Sequence, residues 1–284
     1  MADFKYIRPD NLPEALDFLW DNGQDTAIIA GGTDVMIDVK SGKLDKKYLL
    51  DISRLDELKG IELNGRDLCV GSGVTLSEIY TSALLASNAL ALQKSAVNFA
   101  ARQIRNIATI GGNVAHSSPC GDTVPSLLLH DAIALVADKK GIQHIPMEQM
   151  ATSAYMSSLT PQQIIVKFIL TPYQDGYADF QKIGRRKELA ISRMSMAAFV
   201  KKDSTGRISF LKLALGACTP VPCSMGAVEA FLTGKVPTRE LLWEAGGLLA
   251  ERMIEITGNR SSTIYKKPAV QGLFMRILFP MVGS

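Results

Sequence analysis

Cysteine is scarce in this chain. Its 284 residues include four, Cys69, Cys120, Cys218 and Cys223, with no C-x-x-C pair among them. That spacing argues against a structural zinc site or a resident iron–sulfur cluster, which need closer ligand pairs. Histidine is rarer still: His116, His130 and His144 suit no metal motif. No apolar run is long enough to cross a bilayer, since Leu127-Leu128-Leu129 is soon broken by His130 and Asp131. The first residues, Met1-Ala2-Asp3-Phe4-Lys5, lack the apolar core of a signal peptide, so a cytoplasmic protein is expected. A net charge of +3 implies no nucleic-acid partner, although basic residues gather at Lys182 to Lys187 and at Lys266-Lys267. No Ser-His-Asp, Cys-His or paired-carboxylate arrangement stands out, so neither a catalytic residue nor a metal ligand is assigned.

Two glycine pairs dominate what is present. Ile28-Ile29-Ala30-Gly31-Gly32-Thr33-Asp34 and Ile107-Ala108-Thr109-Ile110-Gly111-Gly112-Asn113 share one form: β-branched residues, Gly-Gly, then a small polar residue. Adjacent glycines permit φ > 0, so successive backbone N–H groups can converge on one anion. Two such segments could hold a dinucleotide between them. The second reads as a glycine loop interrupting a strand-like run. His116 follows it closely and either lines a cofactor site or is satisfied by backbone, and Cys120 reads as a buried, inert thiol. Val70 to Leu76 comes near a G-x-G-x-x-G fingerprint, but Leu76 stands where the third glycine belongs. It is read as a strand end and a helix cap, against a Rossmann fold.

Elsewhere local signals mark the elements. Asn11, Pro13 and Glu14 start a first helix that Gly23 ends, with Leu12, Ala15, Leu16, Leu19 and Trp20 as its apolar face. Thr26 to Ala30 and Tyr48 to Ile52 read as strands flanking a short helix or turn at Val35 to Lys40. Strands follow at Ile61 to Leu63 and Leu68 to Gly71, and Thr75 with Glu78 forms a capping box. A long helix is expected from about Leu90 to Ile104, and a short one over Thr123 to Leu129. Ile133 to Ala137, Gln143 to Ile145 and Ile164 to Leu170 read as strands. The polar stretch Gln174 to Gly176 sets a boundary between a first domain, 1–175 (subdomains about 1–55 and 56–175), and a second, 176–284. In the second, a three-stranded antiparallel sheet precedes helices at Met225 to Leu232, Arg239 to Ile256 and about Thr263 to Leu278. Gly246-Gly247 is expected to pack closely, and Pro268 to sit near the first turn of the last helix.

The motifs A-G-G-T-D near residue 30 and Q-I-R-N-x-A-T-I-G-G-N at 103–113, with Asp122 downstream, resemble the flavoprotein subunit of the molybdenum hydroxylases. Phe180-Gln181-Lys182-Ile183-Gly184-Arg185-Arg186 and Leu215-Gly216-Ala217 extend the resemblance over nearly the whole chain. It implies an α+β protein: a two-subdomain FAD-binding domain of the PCMH type, followed by a smaller α+β domain. It implies noncovalent FAD, wrapped by Ala27, Ile28, Ile29, Ala30, Gly31, Gly32, Thr33 and Asp34 on one side. Thr109, Ile110, Gly111, Gly112 and Asn113 would form the other side. Asp122 would accept hydrogen bonds from cofactor hydroxyls, Phe99 and Ile165 would pack near the rings, and Lys182 would reach the flavin's polar edge. The family's cysteine-rich branch is excluded by the cysteine count, and the pattern is nearest the bacterial xanthine dehydrogenases. Implied partners are a large molybdopterin-binding subunit and a small 2Fe-2S subunit, with NAD+ or another compound as electron acceptor. The alternatives are a stand-alone FAD oxidoreductase of the same fold, or a nucleotide-binding module without redox activity.

Overall fold

In a computed structural model, the structure describes residues 4–186 and 189–283. The leader reading of Met1 to Asp3 and the contribution of Lys187 to the basic cluster lie outside them.

The first lobe is a parallel three-stranded sheet. Its elements are β1 (Lys5–Ile7), α1 (Leu12–Asn22), β2 (Thr26–Ile29), α2 (Val35–Lys40) and β3 (Tyr48–Asp51), with strand order β1-β3-β2. The start of α1 follows its sequence signal: the Asn11 side chain accepts from the Glu14 N–H at 2.9 Å, and Pro13 sits in the first turn. Ala15 and Leu19 are buried beneath it, but Trp20, expected on the same apolar face, is exposed. β1 was not expected, because three residues carry too little pattern to be read as a strand.

The second lobe is built on an antiparallel five-stranded sheet of order β4-β5-β10-β6-β7. It comprises β4 (Ile61–Asn64), β5 (Asp67–Gly71), α3 (Leu76–Thr81), α4 (Ala83–Asn88), α5 (Leu90–Val97), α6 (Arg102–Arg105), α7 (Ile110–Ala115) and α8 (Thr123–Leu129). It continues with β6 (Ile133–Asp138), β7 (Gly141–Pro146), the hairpin β8 (Ala151–Ser153) and β9 (Met156–Ser157), and β10 (Ile164–Leu170). Leu68, Val70, Leu92, Ile110 and Phe168 are buried in its core.

Two expectations fail here. The single helix from Leu90 to Ile104 is two helices, because the chain turns at Ala100, whose φ is +39°. The Arg105 Nη1 stabilises that turn by donating to the carbonyls of Phe99 and Ala100, each at 2.9 Å. The second glycine pair is no strand-like loop. Gly111 and Gly112 form the first turn of α7, capped by the Thr109 hydroxyl, which accepts from the Gly112 N–H at 3.1 Å.

The third unit contains β11 (Tyr177–Gly184), β12 (Ser192–Lys202), β13 (Ile208–Gly216) and β14 (Cys223–Ser224), then α9 (Gly226–Leu232), α10 (Arg239–Thr257) and α11 (Thr263–Leu278). Its sheet is antiparallel in the order β11-β12-β13-β14, so the expected three strands gain a short fourth. Gly246 does pack closely: a Cβ there would stand 2.9 Å from Gln271 Cγ and 3.2 Å from Phe274 Cδ1 on α11. Pro268 lies inside α11, beyond its first turn. Its missing N–H leaves the carbonyl of Ile264 without a helical donor, which is tolerable because Ile264 is exposed to water.

This third unit docks on the second lobe through Ala91 of α5, Leu129 of α8, Phe180 of β11 and Phe199 of β12. The connecting segment is tied down as well. The His130 Nδ1 meets the Thr171 carbonyl at 2.8 Å, and the Thr171 N–H donates to the His130 carbonyl at 3.0 Å. Tyr173 stacks on the His130 ring, with centroids 5.0 Å apart.

Candidate functional site

A cleft of about 580 Å³ separates the first two lobes, within the roughly 300–1,000 Å³ usual for small-molecule and cofactor sites. One wall is the turn from β2 into α2. Gly32 has φ +69°, a conformation that favours glycine, and its carbonyl accepts from the Met36 N–H at 3.0 Å as α2 begins. Gly31 has a different reason to be glycine. A Cβ on it would lie 1.8 Å from the Ile107 carbonyl oxygen, so this is where the two lobes meet backbone to backbone.

The opposite wall joins two segments remote in sequence. The Leu76 N–H donates to Ala108 O at 2.9 Å, the Ile110 N–H to Val74 O at 3.0 Å, and the Gly111 N–H to Ser72 O at 2.8 Å. A Cβ on Gly111 would come within 2.6 Å of Ser72 Cβ, which accounts for that glycine by packing alone. Gly112 differs, for a Cβ there would meet only the Thr109 hydroxyl, at 3.0 Å. It is exposed on the cleft wall and offers bare backbone to whatever lies in the cleft.

The two walls have opposite hydrogen-bonding states. In α7 the N–H groups of Ile110, Gly111, Gly112 and Asn113 are all engaged by Val74 O, Ser72 O, Thr109 Oγ1 and Thr109 O. The expectation that this pair points free N–H groups at an anion is therefore corrected. Among the described residues, the N–H groups of Gly31, Gly32, Thr33 and Asp34 have no acceptor in the protein. Four successive unpaired donors beside a cleft are backbone groups that an anion such as a pyrophosphate can engage. Phe99 and Ile165 line the same cleft and give it apolar surface.

The structure sorts the expected site residues as follows. Ile28, Ala30, Gly31, Gly32, Thr33, Asp34, Phe99, Thr109, Gly111, Gly112, Asn113 and Ile165 line the cleft. Ala27 and Ile29 belong to β2 behind it, and Ile110 is fully buried in the second-lobe core. Asp122 and Lys182 lie off the cleft and bind each other: Lys182 Nζ is 2.6 Å from Asp122 Oδ2, and the Ser192 hydroxyl donates to Oδ1 at 2.5 Å. Burial pushes the Asp122 carboxyl upward in pKa, against the pull of Lys182 and the Ser192 hydrogen bond. Asp122 is nonetheless close to the wall, since the neighbouring Thr123 hydroxyl donates to Asn113 Oδ1 at 2.7 Å.

His116, read as either a site residue or a backbone-satisfied one, lines the cleft, with Nε2 3.9 Å from Asp34 Oδ1. Ser72, Gly73 and Thr75 also line it and were missed as site residues. Their stretch does end β5 and cap α3, as read, and the Thr75 capping box is present. The incomplete glycine fingerprint there was a signal for backbone exposed at a site, though not for a Rossmann fold. Among the described residues no group of three His, Cys, Asp or Glu side chains could hold a metal ion, and no helix is long and apolar enough to cross a membrane.

Comparison with known proteins agrees with this architecture. Residues 2–172 match the family "FAD binding domain in molybdopterin dehydrogenase", and residues 179–280 match "CO dehydrogenase flavoprotein C-terminal domain". The chain is 29% identical to the nicotinate dehydrogenase FAD-subunit of Eubacterium barkeri, covering 100% of this chain and 98% of that one. It is 33% identical to a putative xanthine dehydrogenase FAD-binding subunit of Escherichia coli, over 78% of this chain and 77% of the other. Among solved structures, carbon monoxide dehydrogenase from Hydrogenophaga pseudoflava superposes with a TM-score of 0.91, at 24% identity and 99% coverage of both chains. The chain belongs to the FAD-binding medium subunits of the molybdenum hydroxylases.

Proposed function

We propose that this chain is the electron-relay subunit of a molybdenum hydroxylase, holding one noncovalent FAD in the inter-lobe cleft. Its partners in this reading are a large molybdopterin-binding subunit and a small 2Fe-2S subunit, and NAD+ or another compound takes the electrons. The boundary between the FAD domain and the C-terminal domain is placed near residue 175. The observation that carries the reading is the run of unpaired N–H groups from Gly31 to Asp34, in the lining of the same cleft as Gly112.

In this assignment Gly31, Gly32, Thr33 and Asp34 bind the pyrophosphate through backbone donors. Thr109 and Asn113 contribute side-chain polar groups from the other wall, while Gly112 lets the cofactor approach the backbone. Phe99 and Ile165 pack against ring faces and exclude water. Ala27, Ile29 and Ile110 act from behind, by fixing the backbone of the two walls. Asp122 and Lys182 place a paired charge at the far end of the cofactor, where a cation stabilises charge gained on reduction. When bound, FAD supplies the exchange between single-electron carriers and a hydride donor or acceptor. None of these roles needs a nucleophile or an acid–base pair from the chain, which suits the absence of such a constellation in the sequence.

The test is anaerobic reduction of the isolated yellow protein. NADH is expected to bleach the flavin absorbance, and xanthine to leave it unchanged. Bleaching by xanthine alone would replace the relay reading with a self-contained FAD oxidoreductase. Bleaching by neither would move the acceptor away from nicotinamide.

A further inference from the structure

The inter-lobe cleft is poor in positive charge for the anion it is read to hold. Its lining residues lie between Ile28 and Ile165, in the first two lobes, and include no lysine or arginine among those described. Two of them carry ionisable side chains, Asp34 and His116. A dinucleotide's pyrophosphate has a negative charge on each phosphate, and the Asp34 carboxylate adds another at the same place. The N–H groups of Gly31 to Asp34 answer these charges with dipoles alone. Among the described lining residues, His116 is the side chain that can become a cation.

Its placement suits that task. His116 ends α7 in the second lobe and Asp34 caps α2 in the first, so the 3.9 Å between Nε2 and Oδ1 joins one lobe to the other. The imidazole makes no hydrogen bond to the protein among the described residues, which leaves its ring nitrogens open to a ligand. Tyr155, on the turn between β8 and β9, meets the ring edge to face with centroids 5.4 Å apart, and the Tyr155 N–H donates to Ser117 O at 2.8 Å. The titratable groups on the surrounding elements are Asp38 and Lys40 of α2, Lys167 of β10, Asp122 before α8, and Tyr155 itself. None of these five lines the cleft, and Asp122 is already held by Lys182 and Ser192.

We infer that His116 is a cofactor-binding residue and that FAD capture takes up a proton at its imidazole, placing a cation beside the pyrophosphate held by Gly31 to Asp34. The proton comes from solvent and adds to the bare ring nitrogen; no bond to the cofactor forms. The inference rests on the FAD reading of the cleft. Histidine changes charge between about pH 5 and 8, whereas carboxylates do so below about pH 5 and tyrosine near pH 10. The phosphates of FAD stay ionised throughout. From about pH 6 to about pH 8 the bound state therefore holds more protons than the free one, and by linkage FAD binds more tightly as pH falls.

The test titrates the FAD-free full chain with FAD, followed by flavin fluorescence at constant ionic strength. Affinity should be about threefold or more tighter at pH 6 than at pH 8, the Coulomb gain of one cation near the phosphates even at high dielectric. At pH 7, calorimetric heats in buffers of unequal ionisation enthalpy should differ in the sense of proton uptake. His116→Asn should lose both the pH slope and the buffer dependence. His116→Lys, whose charge does not titrate in this range, should bind tightly at both ends of it. A merely structural histidine would change affinity in the asparagine variant and leave the slope, so a slope retained there overturns the inference. Parent affinity that is flat, or that rises with pH, overturns it as well. If His116→Asn does not fold, which a melt of the FAD-free variant shows, the buffer-dependent heat of the parent decides alone. FAD that fails to bind the parent at any pH overturns the FAD reading of the cleft itself, a result distinct from binding without a slope.

Discussion

Gly31 and Gly112 look alike in the sequence, yet they are glycine for different reasons. At Gly31 the added Cβ would strike a backbone carbonyl, Ile107 O, at 1.8 Å, and backbone cannot rotate away as a side chain can. Gly31→Ala should therefore force the lobes apart and lower stability by about 2 kcal/mol or more. Gly112 is helical and has no positive φ, so the methyl of an alanine there meets only the Thr109 hydroxyl, a side chain that can shift, and should change the fold's stability far less. Its methyl would stand on the cleft wall instead and weaken FAD binding. Denaturant melts of the FAD-free proteins, paired with FAD fluorescence titrations, separate the two cases: Gly31→Ala should move the melt, Gly112→Ala the titration. His130 supplies a pH effect at the same scale. Burial pushes its pKa down to about 4, against the Thr171 carbonyl and Asp131. With Nδ1 donating to Thr171, Nε2 is left as a buried acceptor without a partner. The unfolded chain takes up its proton near pH 6.5, whereas the folded one does not until about pH 4. The neutral ring thus costs nothing above pH 6.5, and stability falls as pH drops from 6.5 to 4, by about 3 kcal/mol at most. Urea midpoints should decline over that window in the parent, and His130→Asn should flatten the decline.

At the scale of elements, the break between α5 and α6 brings Phe99 to the cleft. Ala100 holds φ +39° there, in the left-handed region that glycine adopts without strain. Ala100→Gly is expected to raise stability by up to about 1 kcal/mol, read as a higher melting temperature, while Arg105→Ala should lower FAD affinity by loosening the carbonyls of Phe99 and Ala100. An unchanged melt in Ala100→Gly would show that this turn is unstrained. The sequence reads as one helix because the apolar spacing of Leu92, Ala96, Phe99, Ala100 and Ile104 continues across the break, and nothing local marks a non-glycine residue at positive φ. Elements with chemical punctuation were legible. Asn11, Pro13 and Glu14 announce α1, and Thr75 with Glu78 announces α3. For α7 the β-branched Ile107, Thr109 and Ile110 suggested a strand, and the cap that Thr109 provides outweighed them. β1 and β14 are too short to show alternation and exist because a neighbouring strand offers an edge.

For the whole molecule, the cleft lies between lobes that touch backbone to backbone at Gly31, so a ligand spanning it should stabilise both lobes together. FAD at a hundredfold excess over its dissociation constant should add about 2.7 kcal/mol to the unfolding free energy. Two separate transitions, with FAD shifting only one of them, would show that the lobes unfold independently. Acid precipitation should release the yellow colour into the supernatant, and colour kept in the pellet would indicate a covalent link. Most of the binding residues expected from the sequence do line the cleft, because they cluster in two short motifs. The pairing of Asp122 with Lys182 was not, since it joins residues sixty positions apart on separate domains. Ser72 and Gly73 escaped for a related reason, because they become part of the site only when β5 and α7 are brought together.

The difference between the two walls also has a kinetic consequence. Amide protons without an acceptor exchange with solvent deuterium quickly, and those held in hydrogen bonds wait for local opening. Without cofactor, Gly31, Gly32, Thr33 and Asp34 should exchange near the rate of an unstructured peptide, while Ile110 to Asn113 exchange slowly. Added FAD should slow the first group severalfold or more and leave the second nearly unchanged. The chain thus carries its own occupancy reporter and internal reference, on the two walls of one cleft. Deuterium uptake in peptides covering 28–36 and 107–116 would follow cofactor capture in time, with no label, dye or partner subunit.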